Sequence, residues 1–133
     1  MTYEGHCHCE RVRFTLQGAP LAVLCCHCTI CQQSTGAPFA YVGMWRPEQT
    51  EITAGGPLAS RQTSGHLTRH RCPDCGAAIF NAVRTARMNT DNFMIPLVQN
   101  RADGLKPSHH IYYADRSMDV NGDLPTFDGF KWL

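Results

Sequence analysis

Apolar and polar positions alternate along much of the chain with the period of a half-buried strand. Val12, Phe14 and Leu16 alternate with Arg13 and Thr15 ahead of a Gly18-Ala19-Pro20 turn. Residues 21–26 form a continuous apolar run of strand length, and residues 37–45 are rich in β-formers up to Arg46-Pro47. Gly55-Gly56-Pro57 breaks the pattern. Residues 58–64 and 67–72 read as a strand pair around Gly65, and strands over 77–83, 92–98 and 109–113 complete the set. Helical signals are confined to short turns over 29–35 and 100–105. From Met118 onward, Gly122, Pro125 and Gly129 predict an irregular tail that packs Phe127, Phe130 and Trp132 onto the body. Many strands separated by Gly and Pro turns predict an all-β fold, a sandwich or folded sheet.

The chain has 133 residues, the size of one domain, so a single unit over 1–133 is expected. Its 12 basic and 11 acidic residues give a net charge of +1, without the basic surplus of a nucleic-acid binder. The longest apolar stretch, residues 19–26, is far too short to span a membrane. The opening MTYEGHCHCE has neither the basic nor the apolar region of a secretory leader, so the cytoplasm is the expected location.

Cysteine changes the picture, with 8 residues in three clusters. In a reducing compartment such clusters point to metal rather than to disulfides. Cys72-Pro73-Asp74-Cys75-Gly76 is a zinc-knuckle turn, in which the two sulfurs converge and Gly76 permits the positive φ the turn needs. A closed structural zinc site takes four ligands. Cys7 and Cys9 share one face of an extended chain and are the natural second pair, with buried thiols as the plainer alternative for them.

Cys25, Cys26, Cys28 and Cys31 remain. Cys26 and Cys28 share a face by alternation, Cys31 curls back from the following turn, and Cys25 points the other way. Three protein ligands leave a fourth position open, which distinguishes a catalytic zinc from a structural one. Spacing alone leaves open a Cys25, Cys28, Cys31 grouping and a closed four-cysteine site. His8 and His27, each between cysteines, are read as neighbours facing away from the sulfurs. His110 faces a pocket or is a hydrogen-bonded strand histidine, the second reading being preferred. Phe39, Tyr41 and Trp45 read as core and rim.

Taken in order, Gly5-His6-Cys7-His8-Cys9, Val12-Arg13-Phe14, Cys26-His27-Cys28-Thr29-Ile30-Cys31, Thr35-Gly36-Ala37-Pro38-Phe39 and Cys72-Pro73-Asp74-Cys75-Gly76 resemble the glutathione-dependent formaldehyde-activating enzyme family, which also includes centromere protein V. His110-Ile111-Tyr112 and Leu124-Pro125 match its C-terminal pattern, so the resemblance runs from about residue 5 to 125. It implies a β-tent fold of mostly antiparallel sheets. It also implies a structural zinc on Cys7, Cys9, Cys72 and Cys75, a catalytic zinc on Cys26, Cys28 and Cys31, and a spare Cys25. The implied activity is the addition of glutathione, as co-substrate, to formaldehyde, giving S-hydroxymethylglutathione; its reverse is a carbon–sulfur lyase reaction. Three departures bear on substrate rather than on metal: Glu10 where the family carries Gly, Arg116-Ser117-Met118-Asp119 where many members carry a Trp, and Gln99-Asn100-Arg101-Ala102-Asp103 in place of an acidic turn.

These features predict an enzyme for a small thiol and an aldehyde, without a nucleic-acid or membrane partner. An anionic tripeptide needs basic groups, for which Arg46, Arg61 and Arg69 are candidates by type, each expected to be solvated. A non-enzymatic zinc-stabilised interaction module is the alternative. A zinc ribbon for nucleic acid and an enzyme for another thiol are further rivals.

Overall fold

In a computed structural model describing residues 1–101 and 104–133, strand alternation sets which side chains meet between two sheets. β1 (Thr2–His6), β2 (Arg13–Gln17) and, after β3 (Ala22–Cys26), α1 (Thr29–Thr35) and β4 (Ala40–Trp45), β5 (Thr50–Ala54) carry the first half. β6 (Ala59–Ser64), β7 (Leu67–Arg71), β8 (Ala78–Arg84), β9 (Asn89–Met94) and β10 (His110–Ile111) follow. One sheet has three strands in the order β1-β2-β5, and the other has seven in the order β10-β3-β4-β9-β8-β7-β6. Pairing is antiparallel except for β10, which lies parallel to β3. The expected all-β architecture with cysteine-bearing loops is what the chain adopts.

Phe14, Leu16, Val23, Trp45, Phe93 and Ile95 form the main core between the sheets. The opposite face of β3 and β4 presents Leu24, Cys26, Ala40, Val42 and Met44 to a second apolar cluster. β3 is therefore buried on both faces, which is why it reads as an unbroken apolar run. Trp45 is a core residue and Tyr41 is half-buried against the core, while Phe39 lies against the His27 ring, 4.9 Å between centroids.

Several expectations need correction. The 92–98 strand starts earlier, at Asn89, and ends at Met94, because Pro96 closes it in a 3₁₀ turn over Ile95–Leu97. The 109–113 strand is only His110–Ile111, after which Tyr112 takes a left-handed conformation (φ 51°) that leaves the sheet. The helical turn over 29–35 is present, whereas that over 100–105 falls on residues 102 and 103, outside the described residues. The tail is irregular, joined to β10 by a bridge at Thr126. Among the described residues no helix is long and apolar enough to cross a membrane.

Candidate functional site

All eight cysteines are free thiols, and seven gather in two sulfur clusters. Cys7, Cys9, Cys72 and Cys75 have their sulfurs within 4.8 Å of one another. Cys9 Sγ lies 3.6 Å from both Cys7 Sγ and Cys72 Sγ. A zinc–sulfur bond of about 2.3 Å places tetrahedral sulfurs roughly 3.8 Å apart, so this donor set fits zinc. Local backbone builds it. The Val12 N–H donates to Cys7 Sγ at 3.3 Å, and the Asp74 and Cys75 N–H groups donate to Cys72 Sγ at 3.4 Å each. The Cys75 N–H holds the Cys72 thiol below its ordinary range, and N–H groups of Cys9 and Ala77 bring Cys75 down to about 6. Gly76 has the positive φ, 76°, expected of the knuckle.

In the first loop the corresponding position is Glu10, at φ 64°. A left-handed non-glycine residue costs roughly 1–2 kcal/mol, and the exposed Glu10–Arg13 ion pair offsets little of this. Glu10→Gly is therefore expected to raise stability by about 1 kcal/mol in urea titration of the metal-loaded chain.

Cys26, Cys28 and Cys31 form the second cluster. Cys26 ends β3, Cys28 is the N-cap of α1, and Cys31 lies in its first turn. Cys28 Sγ accepts the Cys31 N–H at 3.3 Å, so the residue that caps the helix also offers its sulfur to the cluster. Hydrogen bonds with the Cys26 and Cys31 thiols hold Cys28 at about 2, and hydrogen bonds with Cys28 and Cys31 push Cys26 up. Cys25 joins neither cluster; it is buried on the other face of β3, and burial pushes its thiol up to about 12. Three soft sulfurs, one readily ionised, fit a thiophilic cation such as zinc.

One arginine departs from expectation. Arg69 on β7 is not solvated but 5% exposed. Its guanidinium lies 3.7–3.8 Å from Cys31 Sγ and donates to Ser34 Oγ at 3.1 Å and Thr63 Oγ1 at 3.2 Å. Among the described residues no carboxylate pairs with it. A buried cation needs a counter-charge, and the sulfur cluster is the group that supplies it. Arg61 is exposed beside it on β6, and Arg46 lies in a separate cavity with Leu21 and Glu48.

The histidines brace the site from outside the sulfur clusters. His8 is exposed, while His27 is fully buried with Nε2 2.8 Å from His110 Nδ1. His27 Nδ1 has no partner, so the tautomer that leaves only a lone pair there, with Nε2–H donating to His110, is the less costly one. Burial lowers His27 to about 4 and His110 below its usual value, leaving both neutral at pH 7. Tyr112 is a site residue that spacing did not identify. Its ring lines the same cavity as the three cysteines, and burial and the nearby sulfurs push its hydroxyl up. A bulky residue at positive φ is uncommon outside functional sites, but φ is invisible in sequence.

Two cavities flank the cluster. One, about 350 Å³, is lined by Arg61, Arg69, Arg71, Ser34, Ser60 and Thr63 among others. The other, about 520 Å³, holds Cys26, Cys28, Cys31 and Tyr112 against an apolar wall. Ile30, Thr63 and Arg69 line both.

Comparison with known proteins bears on the fold and the family. A crystal structure of a Rhodobacter sphaeroides protein has the same fold, with a TM-score of 0.63 at 17% identity, covering 93% of this chain and 99% of that one. A Phaeosphaeria nodorum protein provisionally named glutathione-dependent formaldehyde-activating enzyme is 31% identical over 81 residues. The match takes in 59% of this chain and spans only 43% of that relative's length. The profile of the glutathione-dependent formaldehyde-activating enzyme family matches residues 2–115, and the chain belongs to that family.

Proposed function

We propose that this chain, as one unit over 1–133, joins a thiol to an aldehyde as a hemithioacetal, with glutathione and formaldehyde as the pair the family name supplies. The observation that carries the reading is the convergence of Cys26, Cys28 and Cys31 in a cavity, beside a buried arginine with no carboxylate partner among the described residues. In this reading Cys26, Cys28 and Cys31 hold a catalytic zinc, and Cys7, Cys9, Cys72 and Cys75 hold a structural one. A zinc held by Cys26, Cys28 and Cys31 would supply a position at which a substrate thiol could bind and ionise near neutral pH. Free thiols throughout suit a reducing compartment, so we place the protein in the cytoplasm.

The chain's own groups supply the rest. Arg69 sets a positive charge against Cys31 Sγ, offsetting the negative charge that gathers as the sulfurs ionise. Arg61 and Arg71 add positive charge to the smaller cavity, where the carboxylates of a glutathione-like thiol find partners. Tyr112 Oη keeps its proton and is the donor in the larger cavity for the oxygen that becomes a hydroxyl. The reaction balances without a further reagent. The sulfur–carbon bond forms, the carbonyl π bond breaks, and the proton lost by the thiol is regained at oxygen.

Native mass spectrometry with added glutathione tests the reading, followed by exchange NMR with formaldehyde. Two zinc ions and one retained glutathione per chain, with accelerated exchange between formaldehyde and the adduct, are expected. One zinc, no adduct and no acceleration overturn it. Arg69→Gln keeps hydrogen-bonding capacity but removes the charge. Arg69 acts on the ligand through the cluster: a charge-assisted hydrogen bond such as Arg69–Cys31 is worth about 1.5–3 kcal/mol, so binding of glutathione as a thiolate is expected to weaken roughly ten- to hundredfold. Arg69→Lys should recover only part of this in calorimetric titration, since it restores charge without the planar fork.

A further inference from the structure

We infer that the aldehyde this chain handles carries an apolar chain of several carbons, lodged in the larger cavity beside Cys26, Cys28 and Cys31. The inference rests on the hemithioacetal reading and specifies its carbonyl partner. The cavity's volume, about 520 Å³, falls within the roughly 300–1,000 Å³ usual for small-molecule sites. Formaldehyde, with a single carbon, uses almost none of it. Leu24, Val42 and Met44 project from the sheet to form the floor, and Met88, Phe130 and Trp132 close the sides.

That wall does not suit glutathione. Over the apolar part of that wall its two carboxylates and ammonium would lie against Leu, Val, Met and aromatic carbon and lose hydration without return. Of the two cations in the cavity's lining, Arg69 is turned to Cys31, Ser34 and Thr63 and Arg87 is exposed to solvent; Asn92 Oδ1 already accepts the Thr90 hydroxyl at 2.8 Å. The smaller cavity, with Arg61 and Arg71, is the better place for anionic groups. The two cavities meet at Ile30, Thr63 and Arg69, next to Cys31. An anionic thiol entering from one side and an apolar aldehyde from the other bring sulfur and carbonyl carbon together at that junction. Two methionines let the wall adapt to chains of different shape.

The tail fixes two members of the wall. The Tyr112 N–H donates to the Gly129 carbonyl at 3.1 Å, and His109 Nε2 donates to the Lys131 carbonyl at 2.5 Å. Phe130 and Trp132, edge to face at 5.1 Å, are thereby held on the cavity side of β10.

The test uses the zinc-loaded chain. Unreactive straight-chain alcohols from butanol to octanol are titrated against intrinsic fluorescence, with Trp132→Phe identifying the responding indole. Separately, kcat/KM is measured with glutathione for aldehydes from propanal to heptanal, whose intrinsic reactivity is nearly constant, and for formaldehyde. Both alcohol affinity and kcat/KM are expected to rise about three- to fourfold per added methylene until the cavity is filled. Met88→Lys is expected to flatten both slopes. Formaldehyde turnover with flat slopes overturns this inference and leaves the hemithioacetal reading intact. A rising alcohol series without thiol addition to any aldehyde overturns the hemithioacetal reading, and the aldehyde assignment with it.

Discussion

Cys72→Ser is expected to abolish cooperative folding at 25 °C. Cys72 is fully buried, and its sulfur accepts two backbone N–H groups while facing Cys9 across 63 residues of sequence. The four sulfurs join the end of β1 to the turn between β7 and β8, so the site ties the small sheet to the large one. Structural zinc sites contribute about 10–16 kcal/mol in small domains, against a total stability of about 5–15 kcal/mol. The Arg11–Asp74 ion pair joins the same two loops at 2.9 Å. Both side chains are largely exposed, so it contributes at most about 1 kcal/mol and does not replace the metal. Circular dichroism of the variant, and of the native chain after chelation, should both show loss of the β signal. A variant that melts cooperatively at the native midpoint would contradict a structural role for the cluster.

The second large effect is the opposite in kind. Cys28→Ser is expected to remove one metal and nearly all activity while leaving the fold intact. Serine is among the best N-caps, so its hydroxyl replaces the sulfur as acceptor for the Cys31 N–H and α1 keeps its start. The hydroxyl is a far weaker zinc ligand than a thiolate, so zinc content should fall from two to one. Metal-assisted chemistry supplies several kcal/mol, which makes the expected loss in turnover on the order of a thousandfold. Elemental analysis, circular dichroism and the exchange assay together check this outcome. Cys28→Ala makes the comparison sharper, because it also removes the cap, at a cost of about 1 kcal/mol. Global unfolding of Cys28→Ser would show that both clusters are structural.

What could be read from sequence follows from how locally each feature is specified. β3 and α1 were legible because a continuous apolar run and a cysteine-spaced turn need no tertiary information. The Cys7, Cys9, Cys72, Cys75 group is legible for the same reason, since alternation and the knuckle spacing aim those sulfurs, whereas spacing leaves the choice between Cys25 and Cys26 open and only the family resemblance favours Cys26. β1 was not, because Tyr3 is its one large apolar residue and its other buried position is Gly5. A Cβ at Gly5 would lie 2.3 Å from Phe14 Cζ and 2.7 Å from the Leu97 oxygen, so this glycine marks close packing that only the fold reveals. β5 escaped too, with Ile52 alone packed inward from a polar strand. Arg69 was misjudged because arginine is solvated by default, and its counter-charge comes from a helix 38 residues away in sequence. Tyr112 is quoted in the C-terminal pattern, but spacing gives it no role, because the positive φ at which it leaves the sheet beside the cysteines is not written in the sequence.

The division of labour among segments has an evolutionary consequence. The sulfur sites are built by β3, α1 and the two cysteine-bearing loops, whereas Met88 lies in the turn between β8 and β9 and Phe130 and Trp132 lie in the tail. Substitutions in that turn and tail leave every thiol in place, and surface segments tolerate change far more readily than buried strands. On the proposed reading, duplicated copies of such a chain can therefore diverge in the aldehydes they accept while inheriting the same sulfur chemistry unchanged.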